Sequence, residues 1–233
     1  MFARYPTPGQ TKTRLAAAIG AEPAAGVAAA MGETTLRRLA GGWAEKERVV
    51  AVTPPDSLER FRRVRPIVEG RWHVVAQPQG DLGERMRWWF DEVAGGRPAL
   101  LLGSDCPHFP AAAVGDGIEW LAAAGGAESR AVVAPADDGG YWAIGVAGDP
   151  PPVFDGLPWS DPDLLAATVE RLDNWRASGR GDYRLLDRSY DVDTAAELDR
   201  LRRDLLEIDD AELERLRDRL DGVLGPLDEP REA

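Results

Sequence analysis

Two basic side chains in a glycine-containing N-terminal loop are the first candidates for chemistry. Pro8 and Gly9 interrupt regular structure, and Lys12 and Arg14 follow them where a helical pattern begins. A glycine loop that leads into a helix presents free backbone N–H groups to phosphate. An ammonium adds a point charge and a guanidinium a bidentate fork. We therefore predict that Pro8, Gly9, Lys12 and Arg14 bind phosphate; the alternative is a solvated loop that only starts a helix.

Three aspartates stand where a divalent ion could bind. Asp105 directly follows an apolar strand pattern at 99–102, and Asp191 and Asp193 lie two residues apart before a helical pattern. Carboxylate oxygens suit Mg²⁺ and Mn²⁺, which also bridge to phosphates. We predict Asp105, Asp193 and Asp191 as ligands of Mg²⁺ or Mn²⁺. In the alternative, Asp105 stabilises a turn and Asp193 precedes a capping box that begins at Thr194.

A second glycine turn carries Asp138, followed by Gly139, Gly140 and Tyr141. The glycines would let a ligand approach the backbone closely, and the Tyr141 ring could stack on a sugar or a base. A tight turn between two strands explains the same residues equally well. Cys106, which follows Asp105, is predicted to be a small buried residue rather than a nucleophile, because no nearby base is evident.

Composition limits the classes of function. The chain has 233 residues, of which 44% are hydrophobic and 29% charged, and this size favours one folded domain. Its net charge of −12 argues against broad nucleic-acid binding but not against a local anion site. One cysteine, no apolar run long enough to span a bilayer and no signal-peptide pattern predict a cytoplasmic protein. We expect no membrane or nucleic-acid partner.

Short apolar segments alternate with helical patterns along most of the chain. This alternation predicts an α/β fold with a mainly parallel sheet and helices on both faces, in one domain over 1–225 followed by a polar tail at 226–233. In such sheets, ligands gather beyond the carboxyl ends of the strands. The predicted strands are 49–52, 72–76, 99–102, 131–134, 141–146 and 183–186, and the predicted helices include 23–39, 112–124, 163–177 and two charged helices within 194–223.

The motifs, in this order, resemble a bacterial family of glycosyltransferase-A-like proteins known as rSAM/selenodomain-associated transferases, which are linked to arsenosugar biosynthesis. The resemblance covers about 2–198. Its marks are Pro8-Gly9 with Lys12-Thr13-Arg14-Leu15, Gly80-Asp81-Leu82-Gly83-Glu84-Arg85-Met86, Gly103-Ser104-Asp105-Cys106-Pro107, Asp138-Gly139-Gly140-Tyr141, Trp159-Ser160 and Asp191-Val192-Asp193-Thr194. The broader superfamily is also similar to guanylyl- and cytidylyltransferases that act on small phosphorylated acids or molybdopterin.

The resemblance implies roles for individual residues. Lys12 and Arg14 would bind the nucleotide phosphates. Asp105 would be the first metal ligand, and Asp193, together with Asp191, would supply the second. Backbone groups of Gly80, Asp81, Leu82 and Gly83 would line the base or the phosphates. The resemblance also implies a first strand before Phe2 that is almost absent here. We expect the true start to lie upstream; the alternative is a sheet that lacks most of a central strand.

Three functions remain open from the sequence. The first is glycosyl transfer from a nucleoside diphosphate sugar to a small acceptor, with Asp138 as the candidate base if the reaction inverts. The second is nucleotidyl transfer from a nucleoside triphosphate to a phosphorylated or acidic molecule, which needs the same metal and basic loop. The third is a non-catalytic nucleotide-binding partner, against which the basic loop and both candidate metal sites argue.

Overall fold

The structure of the protein is a computed structural model, which describes residues 1–125, 128–159 and 161–227. Contacts divide the chain into two compact units. The first unit comprises Met1–Ala76, Ser104–His108 and the segment from Val192 onward, and the second comprises Gln77–Gly103 and Phe109–Asp191. Each unit contains a sheet of its own, described separately below.

Strands and helices alternate through most of the described chain. The strands are β1 (Phe2–Arg4), β2 (Val49–Thr53), β3 (His73–Ala76), β4 (Ala99–Leu102), β5 (Arg130–Pro135), β6 (Tyr141–Ala147) and β7 (Asp182–Leu185). The α-helices are α1 (Thr13–Ile19), α2 (Ala21–Gly42), α3 (Leu58–Phe61), α4 (Arg65–Glu69), α5 (Leu82–Trp88), α6 (Ala111–Ala122), α7 (Leu164–Ala177), α8 (Ala195–Asp204) and α9 (Ala211–Leu224). A 3₁₀ turn covers Pro55–Ser57, and a π-helical segment covers Trp89–Ala94.

The sheet of the first unit is parallel, with the order β1-β2-β3. The central strand β2 buries Val50, Ala51 and Val52 completely, as expected for a short apolar strand with neighbours on both sides. Parallel neighbours require long crossovers, and helices α1 and α2 supply the one between β1 and β2. The loop after β1 therefore begins at the carboxyl edge of this sheet, where ligands of α/β proteins gather.

Helices α2 and α9 pack against each other in the first unit. On α9, Leu213, Leu216 and Leu220 are buried at a spacing of three and four residues, which places them on one face of the helix. At Gly26 of α2, an added Cβ would lie at an ordinary contact distance of 3.5 Å from the Val223 side chain, so the packing there does not depend on glycine. This helix pair forms much of the first unit's apolar core.

The sheet of the second unit is mixed, with the order β4-β6-β5-β7. Strands β5 and β6 form an antiparallel hairpin, because the five residues between them are too few for a parallel crossover. Strand β4 pairs antiparallel with β6, and β7 pairs parallel with β5. Leu121 of α6 packs on Val132 and Ala147 in this sheet.

The predicted α/β class is confirmed, and three of the five strand pairs among the described residues are parallel. Each predicted strand is present, with its ends shifted by at most one residue. The polar segment after β2 forms a 3₁₀ turn and two short helices, α3 and α4, rather than one continuous helix. Proline explains the break, since Pro66 lacks the N–H that would continue the preceding helix.

Strand β1 consists of three residues, which pair with β2. Across the described ranges, no helix has the length and apolarity needed to cross a membrane.

Candidate functional site

The N-terminal loop of the first unit is held in shape by its own backbone. The Tyr5 N–H donates to the Thr53 carbonyl oxygen at 2.8 Å, which ties the end of β1 to the end of β2. The Thr7 N–H and the buried Thr11 hydroxyl both donate to the Tyr5 carbonyl oxygen, at 2.8 and 3.0 Å. Gly9 supplies the left-handed φ of 73° that this turn requires. These contacts therefore fix the position of Lys12.

Lys12 itself has a left-handed backbone, with φ 51° and ψ 49°, directly before α1. This conformation costs a non-glycine residue roughly 1–2 kcal/mol, so surrounding contacts must maintain it. The Lys12 Nζ lies 2.6 Å from Asp105 Oδ1 and 2.6 Å from Asp193 Oδ1. These two contacts join three of the predicted site residues in one cluster, which we call the Lys12 cluster (Lys12, Asp105 and Asp193).

The Lys12 cluster has a buried cation and accessible carboxylates. The Lys12 side chain is 5% exposed, whereas those of Asp105 and Asp193 are 44% and 41% exposed. Burial by itself would lower the pKa of Lys12, but the charges and hydrogen bonds of Asp105 and Asp193 outweigh it, so the pKa is raised. Lys12 is therefore an ammonium ion at neutral pH, and the outer sides of the carboxylates remain open to solvent.

Backbone contacts bring the two aspartate segments together. The Val192 N–H, next to Asp193, donates to the Asp105 carbonyl oxygen at 2.9 Å. The N–H groups of Asp193 and Thr194 donate to Glu197 Oε2 at 2.7 and 2.8 Å, and the Thr194 hydroxyl caps α8. The predicted capping box is thus confirmed. It does not use the Asp193 side chain, which is therefore available to contact Lys12.

Arg38 of α2 supports the segment that carries Asp105, although the sequence contained no signal for this role. Its Nη1 donates to the Pro107 carbonyl oxygen at 2.8 Å, and its Nε to Asp210 Oδ2 at 3.0 Å. The Arg38 side chain is only 9% exposed. The guanidinium therefore connects the end of the Asp105 segment to the start of α9.

His108, at the end of the same segment, is neutral in the folded protein. Burial lowers its pKa to about 4, helped by Arg38 and Arg200 and opposed by Asp204. Between about pH 4 and the ordinary histidine pKa of about 6.5, the unfolded chain binds a proton that the folded chain does not. His108 therefore contributes stability above this window, and the contribution is lost as pH falls through it.

We expect His108→Gln to flatten the pH dependence of stability between about pH 4 and 6.5. In the wild type, the free energy of unfolding that is lost through His108 across this window is up to about 3 kcal/mol, at about 1.36 kcal/mol per pKa unit. Urea unfolding at several pH values measures it. The matched control is His73→Gln, which lies at the exposed start of β3 and keeps His108. The free energy of unfolding of this variant should depend on pH as that of the wild type does. An unchanged slope in His108→Gln would contradict this account.

The predicted metal ligands divide into two groups. Asp105 and Asp193 present hard oxygens to one shared cation, which is a donor set that fits Mg²⁺ or Mn²⁺. Asp191 belongs to the second unit. Among the described residues, no group of three or more His, Cys, Asp or Glu side chains is arranged to hold a metal ion, so water or donor oxygens would have to complete the coordination. Metal binding stays a prediction.

Arg14 lies in the first turn of α1, and its side chain is exposed. In the part of the chain that the structure describes, its guanidinium makes no hydrogen bond or ion pair. Its exposed guanidinium is available to an anion, and phosphate binding by Arg14 stays a prediction. Pro8 and Gly9 are likewise exposed at the tip of the loop.

The segment Gly80–Gly83 of the second unit has a structural role of its own. Asp81 caps α5 by accepting from the Glu84 N–H at 2.8 Å, and Glu84 Oε2 accepts from the Asp81 N–H at 2.8 Å. This capping box uses the Asp81 N–H that we had assigned to a ligand, and Leu82 is exposed. Gly83 is buried, and an added Cβ would lie 2.0 Å from the Phe154 carbonyl oxygen. Packing therefore explains Gly83 without a nucleotide.

We expect Gly83→Ala to lower the free energy of unfolding by about 1–3 kcal/mol, because the new methyl group meets backbone that cannot move cheaply. Urea denaturation measures the change. Gly115→Ala is the matched control, since Gly115 lies in α6 with nothing within 4 Å of an added Cβ. It should be neutral or stabilise by up to about 1 kcal/mol. Equal stability of the two variants would refute the packing role.

The Asp138 turn joins β5 to β6, as the structural alternative expected. Asp138 Oδ1 accepts from the Gly140 N–H at 2.9 Å, and the Gly139 carbonyl oxygen accepts from the Leu165 N–H at 2.8 Å. Gly139 has φ 89°, and an added Cβ would lie 2.0 Å from the Pro162 carbonyl oxygen. It stays a prediction that the exposed Asp138 carboxylate acts as a base and that Gly139 and Gly140 bind the acceptor.

Aromatic residues after this turn are largely internal to the second unit. Burial raises the pKa of the Tyr141 hydroxyl, which lies near Thr168 of α7. Trp142 is 2% exposed and stacks on Phe109, so it is a core residue and is not accessible to a ligand. Cys106 is 3% exposed, in agreement with its predicted buried role.

Comparison with solved structures found a protein of related fold over nearly the whole chain. It is the crystal structure of a "putative nucleotide-diphospho-sugar transferase" from Desulfovibrio desulfuricans G20. The two sequences are 28% identical, the match covers 97% of this chain and 96% of the other, and the TM-score is 0.74. The chain thus has the fold of that protein.

Two further comparisons used the sequences of curated proteins and models of protein families. A comparison with curated proteins found no significant match. A family model described as "Uncharacterized protein conserved in bacteria (DUF2064)" matches residues 36–161, which is more than half of the chain. The narrower resemblance to rSAM/selenodomain-associated transferases stays a prediction. The chain belongs to the DUF2064 family of bacterial proteins.

Proposed function

We propose that the protein is a metal-dependent transferase that uses a nucleotide-activated donor, and that it transfers a glycosyl group from a nucleoside diphosphate sugar to a small acceptor. The Lys12 cluster carries the proposal: two accessible carboxylates converge on one cation beside a basic loop. Similarity over 97% of the chain to a protein named for nucleotide-diphospho-sugar transfer supports it.

In this proposal, Asp105 and Asp193 hold Mg²⁺ or Mn²⁺ through their carboxylate oxygens. The bound ion would neutralise the negative charge of the departing diphosphate. The chain's own contribution is to fix the two carboxylates, through the hydrogen bond from Val192 to Asp105 and through the capping box that includes Glu197. Preorganised ligands of this kind avoid reorganisation when the donor binds.

The basic residues of the loop would stabilise the same negative charge on the departing diphosphate. Arg14 is exposed and can form two parallel hydrogen bonds to phosphate oxygens. Interactions that strengthen as charge develops on the leaving diphosphate accelerate the reaction rather than only binding the donor. The loop after β1 therefore recognises the diphosphate, whereas the sugar, the base and the acceptor are left to other segments.

A thermal-shift panel tests the proposal and separates it from nucleotidyl transfer. The protein is heated with nucleoside diphosphates, nucleoside triphosphates and nucleotide sugars, each with and without Mn²⁺. A ligand at a hundredfold excess over its dissociation constant adds about 2.7 kcal/mol of stability, or roughly 5–10 °C for a chain of this size. We expect the largest Mn²⁺-dependent shifts with a nucleoside diphosphate and a nucleotide sugar.

Two other results would count against glycosyl transfer. A shift confined to nucleoside triphosphates, together with pyrophosphate release, would favour nucleotidyl transfer. Equal shifts with and without Mn²⁺, and no turnover of any donor, would favour a nucleotide-binding protein without catalytic function.

A further inference from the structure

One oxygen of each carboxylate proposed to hold the metal ion, Oδ1, already contacts a cation that belongs to the protein. Lys12 Nζ lies 2.6 Å from Asp105 Oδ1 and 2.6 Å from Asp193 Oδ1. An Mg²⁺ ion bound by these oxygens would lie at about 2.0–2.1 Å from each. A metal ion at that distance from both oxygens would overlap or strongly repel an ammonium at its present distance. The two cations therefore cannot share this position.

We propose that the Lys12 ammonium is a resident cation of this site, which a divalent ion must displace and which then pairs with the donor's phosphate. The inference rests on the proposed function, and it assigns to Lys12 a role in coupling metal binding to diphosphate binding. In the metal-free protein, Lys12 offsets one of the two negative charges of Asp105 and Asp193 and holds their side chains together. In the loaded protein, it contacts the diphosphate.

Burial supplies the physical reason for this coupling. The Lys12 side chain is 5% exposed, and its recorded ion-pair partners are Asp105 and Asp193. A buried ammonium that loses its counterions is strongly destabilised unless it gains another anion. Metal alone would displace Lys12 without offering one, whereas a diphosphate entering with the metal would supply phosphate oxygens. Metal and diphosphate should therefore bind cooperatively, and each should raise the affinity of the other by the same factor.

Mn²⁺ binding to variants tests the competition without any assay of activity. Free and bound Mn²⁺ are measured by electron paramagnetic resonance, with and without a nucleoside diphosphate. We expect Lys12→Met to bind Mn²⁺ alone at least tenfold more tightly than the wild type. The increase in Mn²⁺ affinity on adding nucleoside diphosphate should be at least tenfold smaller in this variant.

The control is the chain's only other lysine. Lys46 is 49% exposed, and its nearest carboxylate oxygen, in Glu45, is 3.6 Å away. Lys46→Met removes one positive charge at a distant position and should leave both Mn²⁺ affinities unchanged. Circular dichroism and melting temperature establish that each variant is folded.

Acetylation of the wild-type protein gives a second readout that needs no variant. With acetic anhydride and mass spectrometry, Lys12 should react slowly in the metal-free protein, because its ammonium is buried between two carboxylates. Mn²⁺ alone should increase its acetylation at least severalfold, and Mn²⁺ with nucleoside diphosphate should protect it again. Lys46 should react at the same rate throughout and so serves as an internal standard.

The outcomes separate this inference from the proposed function. If the wild type binds Mn²⁺ with nucleoside diphosphate, but Lys12→Met has unchanged or weaker Mn²⁺ affinity and Mn²⁺ does not alter Lys12 acetylation, the displacement of Lys12 is wrong and the proposed function stands. If the folded wild type and Lys12→Met both bind neither Mn²⁺ nor nucleoside diphosphate, the proposed function fails and the inference fails with it.

Discussion

Asp105→Asn is expected to lower kcat/KM for a nucleotide-activated donor by at least about a hundredfold, which corresponds to about 2.7 kcal/mol of transition-state stabilisation. The amide removes one of the two anionic oxygens proposed to hold the metal ion. Mn²⁺-dependent binding of nucleoside diphosphate should weaken with it. The fold should remain, because Lys12 keeps its contact with Asp193.

Asp199→Asn is the matched control for this variant. Asp199 lies on the exposed side of α8, where the same substitution changes the net charge equally but touches no residue of the Lys12 cluster. Its kinetics should match those of the wild type within about twofold, as for ordinary surface substitutions within about 0.5 kcal/mol. Normal Mn²⁺-dependent turnover in Asp105→Asn would reduce Asp105 to a turn residue.

Arg14→Ala should lower kcat/KM by about tenfold to a hundredfold. A charge-assisted hydrogen bond contributes roughly 1.5–3 kcal/mol, and one made to the departing diphosphate strengthens in the transition state, so kcat should fall along with binding. Arg14→Lys should recover only part of the loss, because a point charge replaces a bidentate fork. Stability should change little, since the side chain is exposed.

Arg203→Ala provides the comparison for Arg14. This arginine is exposed in the last turn of α8, so its loss changes the charge without touching the N-terminal loop. Steady-state kinetics with saturating Mn²⁺ would compare the variants. If Arg14→Ala and Arg203→Ala behave alike, the loop is a solvated start of a helix and Arg14 has no place in the site.

Local patterns predicted most of the elements. The apolar run at β2 and the capping residues Thr194 and Glu197 each produce the structure they favour, because the deciding interactions lie within a few residues. The pairing of β4 with β6 was not predictable in this way. It depends on contacts between segments about forty residues apart, which hydrophobic periodicity does not encode.

The site was predicted as a set of residues but not as a set of contacts. The resemblance singled out Lys12, Asp105 and Asp193, yet Lys12 was assigned to phosphate rather than to the two carboxylates. Lys12 and Asp193 are separated by 181 positions, and no spacing rule connects residues so far apart. For Gly83 and Asp138, the structure provides packing and turn geometry that the sequence allowed only as alternatives.

Anomalous diffraction from crystals grown with Mn²⁺ and a nucleoside diphosphate is the most direct test of the proposed function. The account predicts a manganese peak coordinated by Asp105 and Asp193 and bridged to the diphosphate, with Arg14 on phosphate oxygens. A bound diphosphate with manganese elsewhere, or with both carboxylates making no contact to the ion, would contradict it.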